Sequence, residues 1–511
     1  MPLVLHRDSR TAIPRAIFLA ALIAAASFPA VRADRPVVDH PDVASHLELV
    51  EVWLQAQVAY RGLPGVAVAV VHDQELVYAL GFGYAEVETK KPMAPESLFR
   101  IASHTKLFTA IAIMQLRDAG KLSLDDPVRK HLPWFGIQKD DKDAQPVTIR
   151  QLLTHSSGLP REGAEGYWSD FRFPKVDAVK AWLQTQEMVY APETRWKYSN
   201  LGFVLAGQIV TAVSGESFVD YVENHIMTPL GMGASSVSIA PDDRDKLAVG
   251  YGRRLPDGSR QRFPFVETRA IAPAAGLSSS VTDMARFISW QFRLRDGGAK
   301  EVLKATTLKE MQRPHWVMDG WTFAWGLGFN IVHTESRDLI GHGGGYPGYQ
   351  TATYISPAEK IGVILFTNAG DGLPYPGVPG GLDIERIFKW MAPAIRRAVE
   401  KEPQAEKPDP SWKNLTGTYR ARWADFHVMV LDGRLVMVDP VSPDPKAGMM
   451  SLTPREKQHS FTLEGRGYGA LGEEVLFTPG DDGRAKSCVI GGNPFERVRY
   501  DVPLTTSSRK D

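Results

Sequence analysis

The chain has 511 residues, with 59 Lys plus Arg against 59 Asp plus Glu, so its formal net charge is zero. A composition of 43% hydrophobic, 23% charged and 10% aromatic residues is that of a globular protein able to bury a large core. There is no basic excess to displace phosphate counterions, and the single cysteine, Cys488, excludes both an intrachain disulfide framework and a multi-cysteine zinc site.

At about 150 residues per domain, this length predicts one large unit plus something smaller. The amino terminus stands apart from both. Arg7, Arg10 and Arg15 precede residues 16–30, which carry no charge, and Val31-Arg32-Ala33 offers small residues before a cut after Ala33. Basic, apolar, then small is the order of a secretory signal peptide, here over residues 1–33. The apolar run is shorter than the roughly 20 residues of a spanning helix, so a membrane is expected to be touched only if this segment stays uncleaved. The expected location is periplasmic or secreted.

Residues 41–60 place Val43, Leu47, Val50, Leu54 and Val58 near helical spacing. The runs 66–71 and 76–82, joined by Asp73-Gln74-Glu75, predict a hairpin. A helix is expected over 103–119, a mostly helical stretch to about 320, a strand pair over 351–355 and 361–366, and a helix over 383–400. Strands from both ends with helices inserted between them define an α/β (α+β) class, an antiparallel sheet flanked by helices, over residues 34–400. The polar, proline-bearing stretch 401–411 predicts a linker. From Trp412 the period changes to short strands between Gly, Asp and Pro turns, an all-β, barrel-like domain over 412–511.

The strongest local signal is Ser103-His104-Thr105-Lys106. A serine and a lysine three apart at a helix start share one face, and a desolvated lysine can take the proton that keeps a serine hydroxyl a poor nucleophile. Alone, this pattern occurs by chance in many proteins and reads more simply as a helix N-cap followed by a solvated lysine. Tyr198-Ser199-Asn200 enters a helical pattern from a loop, so Tyr198 and Asn200 can point into one cleft, though a core tyrosine fits too. Gly341-His342-Gly343-Gly344-Gly345 precedes a strand and permits close backbone approach, or is simply a glycine-rich turn.

Order and spacing of these phrases, together with Phe99-Arg-Ile-Ala, Gly120-Lys-Leu-Ser-Leu-Asp-Asp-Pro, Leu152-Leu-Thr-His-Ser-Ser-Gly-Leu, Pro229-Leu-Gly-Met and Ala275-Gly-Leu-Ser-Ser-Ser with Asp283, resemble the serine β-lactamase-related superfamily. The resemblance is to its class C β-lactamase, D-alanyl-D-alanine peptidase and esterase branch, and covers about residues 42–398. Ser-x-x-Lys is itself a penicillin-binding signature. The resemblance implies that Ser103 is the acylated nucleophile, Lys106 its proton acceptor, and Tyr198 the group that shares general-base work and protonates the leaving group. It further implies that Asn200 contacts Lys106 and the substrate, and that His342-Gly343-Gly344 stands where β-lactamases carry Lys-Thr-Gly on the strand edging the site. The N–H groups of Gly345 and Ser103 would then form the oxyanion hole. Leu415-Thr-Gly-Thr-Tyr419 similarly resembles the opening strand of lipocalin-like domains that follow some members.

Two departures stand out. His342 replaces a lysine, and a neutral imidazole lacks the fixed cation that would hold a β-lactam or peptide carboxylate. Pro192-Glu193 stands where the family usually has Pro-Gly. The expected activity is an exported serine hydrolase acting on small ester, amide or D-amino-acid substrates, or on peptides. A D-alanyl-D-alanine carboxypeptidase, a class C-like β-lactamase and a non-catalytic penicillin-recognising scaffold are the alternatives. No metal, organic cofactor or nucleic-acid partner is expected. His155 is expected to be structural, His104 to point away from Lys106, Cys488 to be inert, and Trp168, Trp316, Trp321 and Trp325 to line core or cleft.

Overall fold

The computed structural model describes residues 37–138, 145–373, 382–404, 407–466 and 469–507. The leader expected over 1–33 lies outside the described residues. Helix α1 (Pro41–Arg61) is capped by the His40 side chain and stopped by Gly62 in the left-handed region. It is followed by the hairpin β1 (Gly65–His72) and β2 (Glu75–Glu86). Helices α2 (Thr105–Asp118), α3 (Asn200–Ser214) and α4 (Val281–Arg295) form the inserted layer. The chain then returns to the sheet through β3 (Trp316–Val317), β4 (Phe323–Trp325), β5 (Asn330–His333), β6 (Asp338–Tyr346), β7 (Tyr349–Ser356) and β8 (Ile361–Thr367). Helix α5 (Ile384–Val399) closes this part.

The sheet is antiparallel, ordered β2-β1-β8-β7-β6-β5-β4-β3. Central strands β1 and β8 are apolar up to their last residues, His72 and Thr367, because both faces are covered. Val66, Val68 and Val70 face α1 and α5, whereas Ala67, Ala69 and Val71 face α2, α3 and α4. This expected hairpin and strand pair therefore form adjacent ribbons of one sheet, Val68 opposite Leu365 and Thr353 opposite Ile364.

The glycine-rich segment 341–345 lies inside β6, on a strand as the resemblance implies, and not in the turn that its composition alone also allows. Glycine weakens strand propensity, so composition there hides an extended run. The carboxy-terminal region also divides differently from a simple 412–511 unit. Eight strands between Gly417 and Val498 close into an up-and-down antiparallel barrel, its first strand pairing with its last through Thr418 and Val498. The chain then leaves the barrel, and β9 (Leu504–Thr506) pairs with Leu80–Phe82 on the edge of the main sheet.

The barrel also shares a core with α1 and α5. Met429, Leu431, Val436 and Val438 pack in one cluster with Trp53, Leu54, Trp390 and Met391. Trp53 and Trp390 meet edge to face at 5.2 Å. Around this seam, Arg397 donates to Asp42 at 2.7 Å and to Asp432, while Tyr60 donates to Asp425 at 2.7 Å. Helix α1 thus buries one face on the sheet and another on the barrel, which is why His46 and Gln57 are buried as well as the apolar stripe. Inside the barrel, Cys488 is 1% exposed beside Tyr419 and Phe495, and burial pushes its thiol up to about 12.

Candidate active site

Strand Phe99–Arg100 pairs with Ser278–Ser279, and then the chain turns sharply into α2. Ala102 makes that turn at φ +49°, a left-handed conformation that costs a β-carbon residue about 1–2 kcal/mol. A single 3-10 turn, Ala102–His104, carries Ser103 to the amino end of α2. The Thr105 hydroxyl donates to the Ala102 carbonyl at 2.6 Å and accepts from the Leu277 N–H at 3.0 Å, tying the turn to the opposite strand.

Lys106 is fully buried one helical turn after Ser103. Its Nζ lies 3.2 Å from Ser103 Oγ, 2.8 Å from Asn200 Oδ1 and 2.8 Å from the Ala274 carbonyl. Burial, chiefly, and the nearby Arg161 cation hold the Lys106 amine well below the ordinary lysine range, with Glu162 opposing. A neutral amine here donates its two N–H bonds to Asn200 and Ala274 and keeps its lone pair for Ser103. The Tyr198 hydroxyl donates to Ser103 Oγ at 3.0 Å from the other side. Burial raises the Tyr198 phenol well above its ordinary value, so Tyr198 rests protonated, as a donor.

Asn200 opens α3, with Ser199 as its N-cap: Ser199 Oγ accepts from the Gly202 N–H at 2.9 Å and donates to the Pro160 carbonyl at 2.7 Å. The Asn200 amide Nδ2 donates to both oxygens of Glu162 at 3.0 Å, which turns its Oδ1 toward Lys106. Tyr167 also donates to Glu162, and Arg161 pairs with it at 3.0 Å. Glu162 and Arg161 were not anticipated. They stand in a loop without periodicity, and the only pointer to them is their place just after the Leu152–Leu159 phrase.

His155, at φ +59°, stacks on the Tyr198 ring at 4.2 Å and accepts from the Ser199 N–H at 3.1 Å. That bond puts its proton on Nε2, and the ring also meets Trp325 edge to face, centroids 4.9 Å apart. In this position it braces the tyrosine ring directly. His104 turns away from Lys106, its Nδ1 bonded to the Ile101 carbonyl at 2.9 Å and its ring near Phe366. Of the four tryptophans considered, Trp325 walls the site beside Trp196, Tyr198 and His342; Trp168 packs on Tyr346, and Trp321 is 55% exposed.

Strand β5 pairs with β6 only as far as Gly341, so residues 342–346 have a free edge next to the Ser103 turn. Gly344 makes that approach possible: a β-carbon there would land on the Ile101 carbonyl and the Thr351 hydroxyl. Gly343 has room for one, and at Gly345 the space is open. His342 is 4% exposed, its Nδ1 bonded to the Gly343 carbonyl and its ring against Trp325. Burial, and then the Lys106 and His104 charges, push its imidazole well below its ordinary range. The residue in the usual lysine position is thus a neutral wall of the site. Glu193, the other departure, adopts φ +62°, the conformation for which glycine is suited, with its N–H bonded to the Ser156 carbonyl at 2.8 Å. Among the described residues no group of three or more His, Cys, Asp or Glu side chains is placed to hold a metal ion.

The fold agrees with comparisons to known proteins. Penicillin-binding protein 4* of Bacillus subtilis is 30% identical over 316 residues, 59% of this chain and 67% of that protein. Protein flp of Staphylococcus aureus is 25% identical over 314 residues, 60% of each. Among solved structures, an octameric penicillin-binding protein homologue from Pyrococcus abyssi superposes with a TM-score of 0.57 at 25% identity, covering 90% of this chain and 98% of that one. The hydrolase EstCE1 shares the fold, with a TM-score of 0.55 at 22% identity over 69% of this chain and 99% of that one. The Beta-lactamase family profile spans residues 50–380, from within α1 to beyond β8, and the chain belongs to that family.

Proposed function

We propose that the chain is a serine hydrolase that works through an acyl-enzyme on Ser103. The observation that carries this reading is the line of hydrogen bonds Tyr198–Ser103–Lys106, at 3.0 and 3.2 Å, with the lysine buried and held toward its neutral form. In acylation, Lys106 Nζ takes the Ser103 proton as Oγ bonds to the substrate carbonyl carbon. The backbone N–H groups of Ser103 and Gly345 receive the oxyanion, each such donor being worth about 3–4 kcal/mol at the transition state. Tyr198 hands its proton to the leaving group as the carbonyl–leaving-group bond breaks and recovers one from the Lys106 side. The same pair then activates water for deacylation.

Small esters and amides are the favoured substrates, because buried, neutral His342 offers no cation to a carboxylate beside the scissile bond. The name of the Bacillus subtilis relative supports a second reading, recognition of penicillin or D-alanyl peptides. Short-chain p-nitrophenyl esters, D-Ala-D-Ala peptides and a chromogenic cephalosporin, compared by kcat/KM on purified protein, test the choice. Ester turnover should exceed cephalosporin turnover, and the reverse ranking would overturn the role given to His342. Turnover of none of them would favour a non-catalytic recognition protein. Export through the basic and apolar leader belongs to the same reading, and cell fractionation with amino-terminal sequencing of the mature protein checks it.

A further inference from the structure

A charge at the mouth of a reactive site selects among substrates by the charges they carry past it. Arg161 occupies such a place. Its carbonyl accepts from the Asn200 and Leu201 N–H groups at 2.7 and 3.2 Å, which fastens the residue to the start of α3. Its guanidinium carbon lies 5.1 Å from the Tyr198 ring centroid, while the side chain remains 59% exposed. The ring attracts the cation without supplying an acceptor for its N–H bonds.

This cation is only partly neutralised. It pairs with Glu162 through Nε at 3.0 Å, and Nη1 and Nη2 donate no hydrogen bond among the described residues. Glu162 is itself already engaged, accepting both bonds from Asn200 and one from Tyr167. Lys197, directly before Tyr198, is a second cation near Arg161. Its amine forms no ion pair among the described residues, and burial, then Arg161, hold it below the ordinary lysine range. Two cations thus share one carboxylate on this wall of the site. We propose that Arg161, supported by Lys197, is a specificity-determining cation that favours substrates whose leaving group carries an anionic substituent, such as a carboxylate.

This inference rests on the serine-hydrolase reading, because Tyr198, in handing its proton to the leaving group, sets which part of the substrate passes Arg161. The two walls of the site then differ in what they accept. A carboxylate held against β6 meets neutral His342, whereas an anionic group carried outward past Tyr198 meets a guanidinium with its terminal nitrogens free, a fork suited to two oxygens. Exposure of Arg161 keeps the effect modest and sensitive to salt.

The test compares 3-acetoxybenzoate with its neutral methyl ester, which release the same phenol ring with and without a carboxylate charge. Both meet the same Lys106, so the ratio of their kcat/KM values, corrected for uncatalysed hydrolysis, cancels any change in the protonation of that lysine. The wild type should favour the anion by about three- to tenfold at low ionic strength. Arg161→Gln should remove most of that preference, and Arg161→Lys, which keeps the charge, should retain most of it. Equilibrium binding of the same two compounds to Ser103→Ala reads the site without turnover: the anion should bind more tightly, and the difference should vanish when Arg161→Gln is added. A wild type without anion preference, or a preference that survives Arg161→Gln, would overturn the proposal. So would a loss in Arg161→Lys as complete as in Arg161→Gln, which would assign the effect to packing and not to charge. A binding difference that depends on Arg161, together with no Ser103-dependent turnover of either ester, would instead overturn the acyl-enzyme reading and leave Arg161 as an anion-recognising residue.

Discussion

Lys106 sits among three oxygen atoms, and among the described residues no carboxylate bonds to it, so its protonation is set by burial and by the balance between the nearby Arg161 and Glu162. That balance makes Glu162→Gln informative. The amide keeps an acceptor for Asn200 but removes the charge that favours protonated Lys106, so the acidic limb of the kcat/KM profile should move to lower pH. A limb that stays in place or moves up would assign the titration to another group. Tyr198→Phe removes the only hydroxyl donor to Ser103 Oγ seen among the described residues while leaving the ring stacked on His155. It should slow acyl transfer by about 10²- to 10⁴-fold with Tm nearly unchanged. Pre-steady-state ester hydrolysis reads this, and near-wild-type rates would place the proton relay elsewhere. Glu193 holds a left-handed backbone at an exposed position, so Glu193→Gly should stabilise the chain by about 0.5–1 kcal/mol, the left-handed cost less the entropy cost of glycine. Urea unfolding midpoints check it; a lower midpoint would mean that the Glu193 side chain contributes more than its backbone costs.

The elements differ in how far they can be read from the chain. Ser103 and Lys106 are legible because a one-turn helical spacing is local, and Tyr198 and Asn200 because a loop entering an N-capped helix is local too. Strand β6 is not legible from its composition, since three consecutive glycines interrupt the kind of apolar run that marks β1 and β8; only the family resemblance points to a strand there. Nor does the chain reveal why Gly344 differs from its neighbours, because the Ile101 carbonyl that forbids a side chain there comes from a distant segment. The difference is testable. Gly344→Ala should push β6 away from the Ser103 turn, lowering both ester turnover and Tm, whereas Gly343→Ala, whose nearest neighbour would be the Thr351 carbonyl at 3.6 Å, should be tolerated in Tm. Equal losses of Tm in the two variants would show that β6 and the nucleophile turn are not tightly apposed. The return of β9 to the main sheet escapes sequence reading for a similar reason: a short, half-exposed strand after a barrel carries no mark of its partner.

For the whole molecule, burial of imidazoles around one site has a thermodynamic consequence. His104, His155 and His342 are all held below the ordinary histidine range, mainly by burial, and His104 falls to about 4. The unfolded chain takes up protons at these positions below about pH 6.5 while the folded chain does not, so stability falls as pH drops through that range. The His104 contribution is lost between about pH 6.5 and 4 and is on the order of 3 kcal/mol. Urea unfolding at pH 7 and pH 5 should therefore show a clearly lower midpoint at pH 5, and a flat profile would contradict neutral burial. The shared core of barrel, α1 and α5 also means that the chain does not divide cleanly at residue 411. The central claim, that Ser103 is the acylated residue, is tested most directly by intact-mass analysis after treatment with a fluorophosphonate, for wild type and Ser103→Ala. One adduct per wild-type chain, mapped to Ser103 and missing from the variant, is the result expected. An unlabelled wild type, or a variant that labels equally, would contradict it.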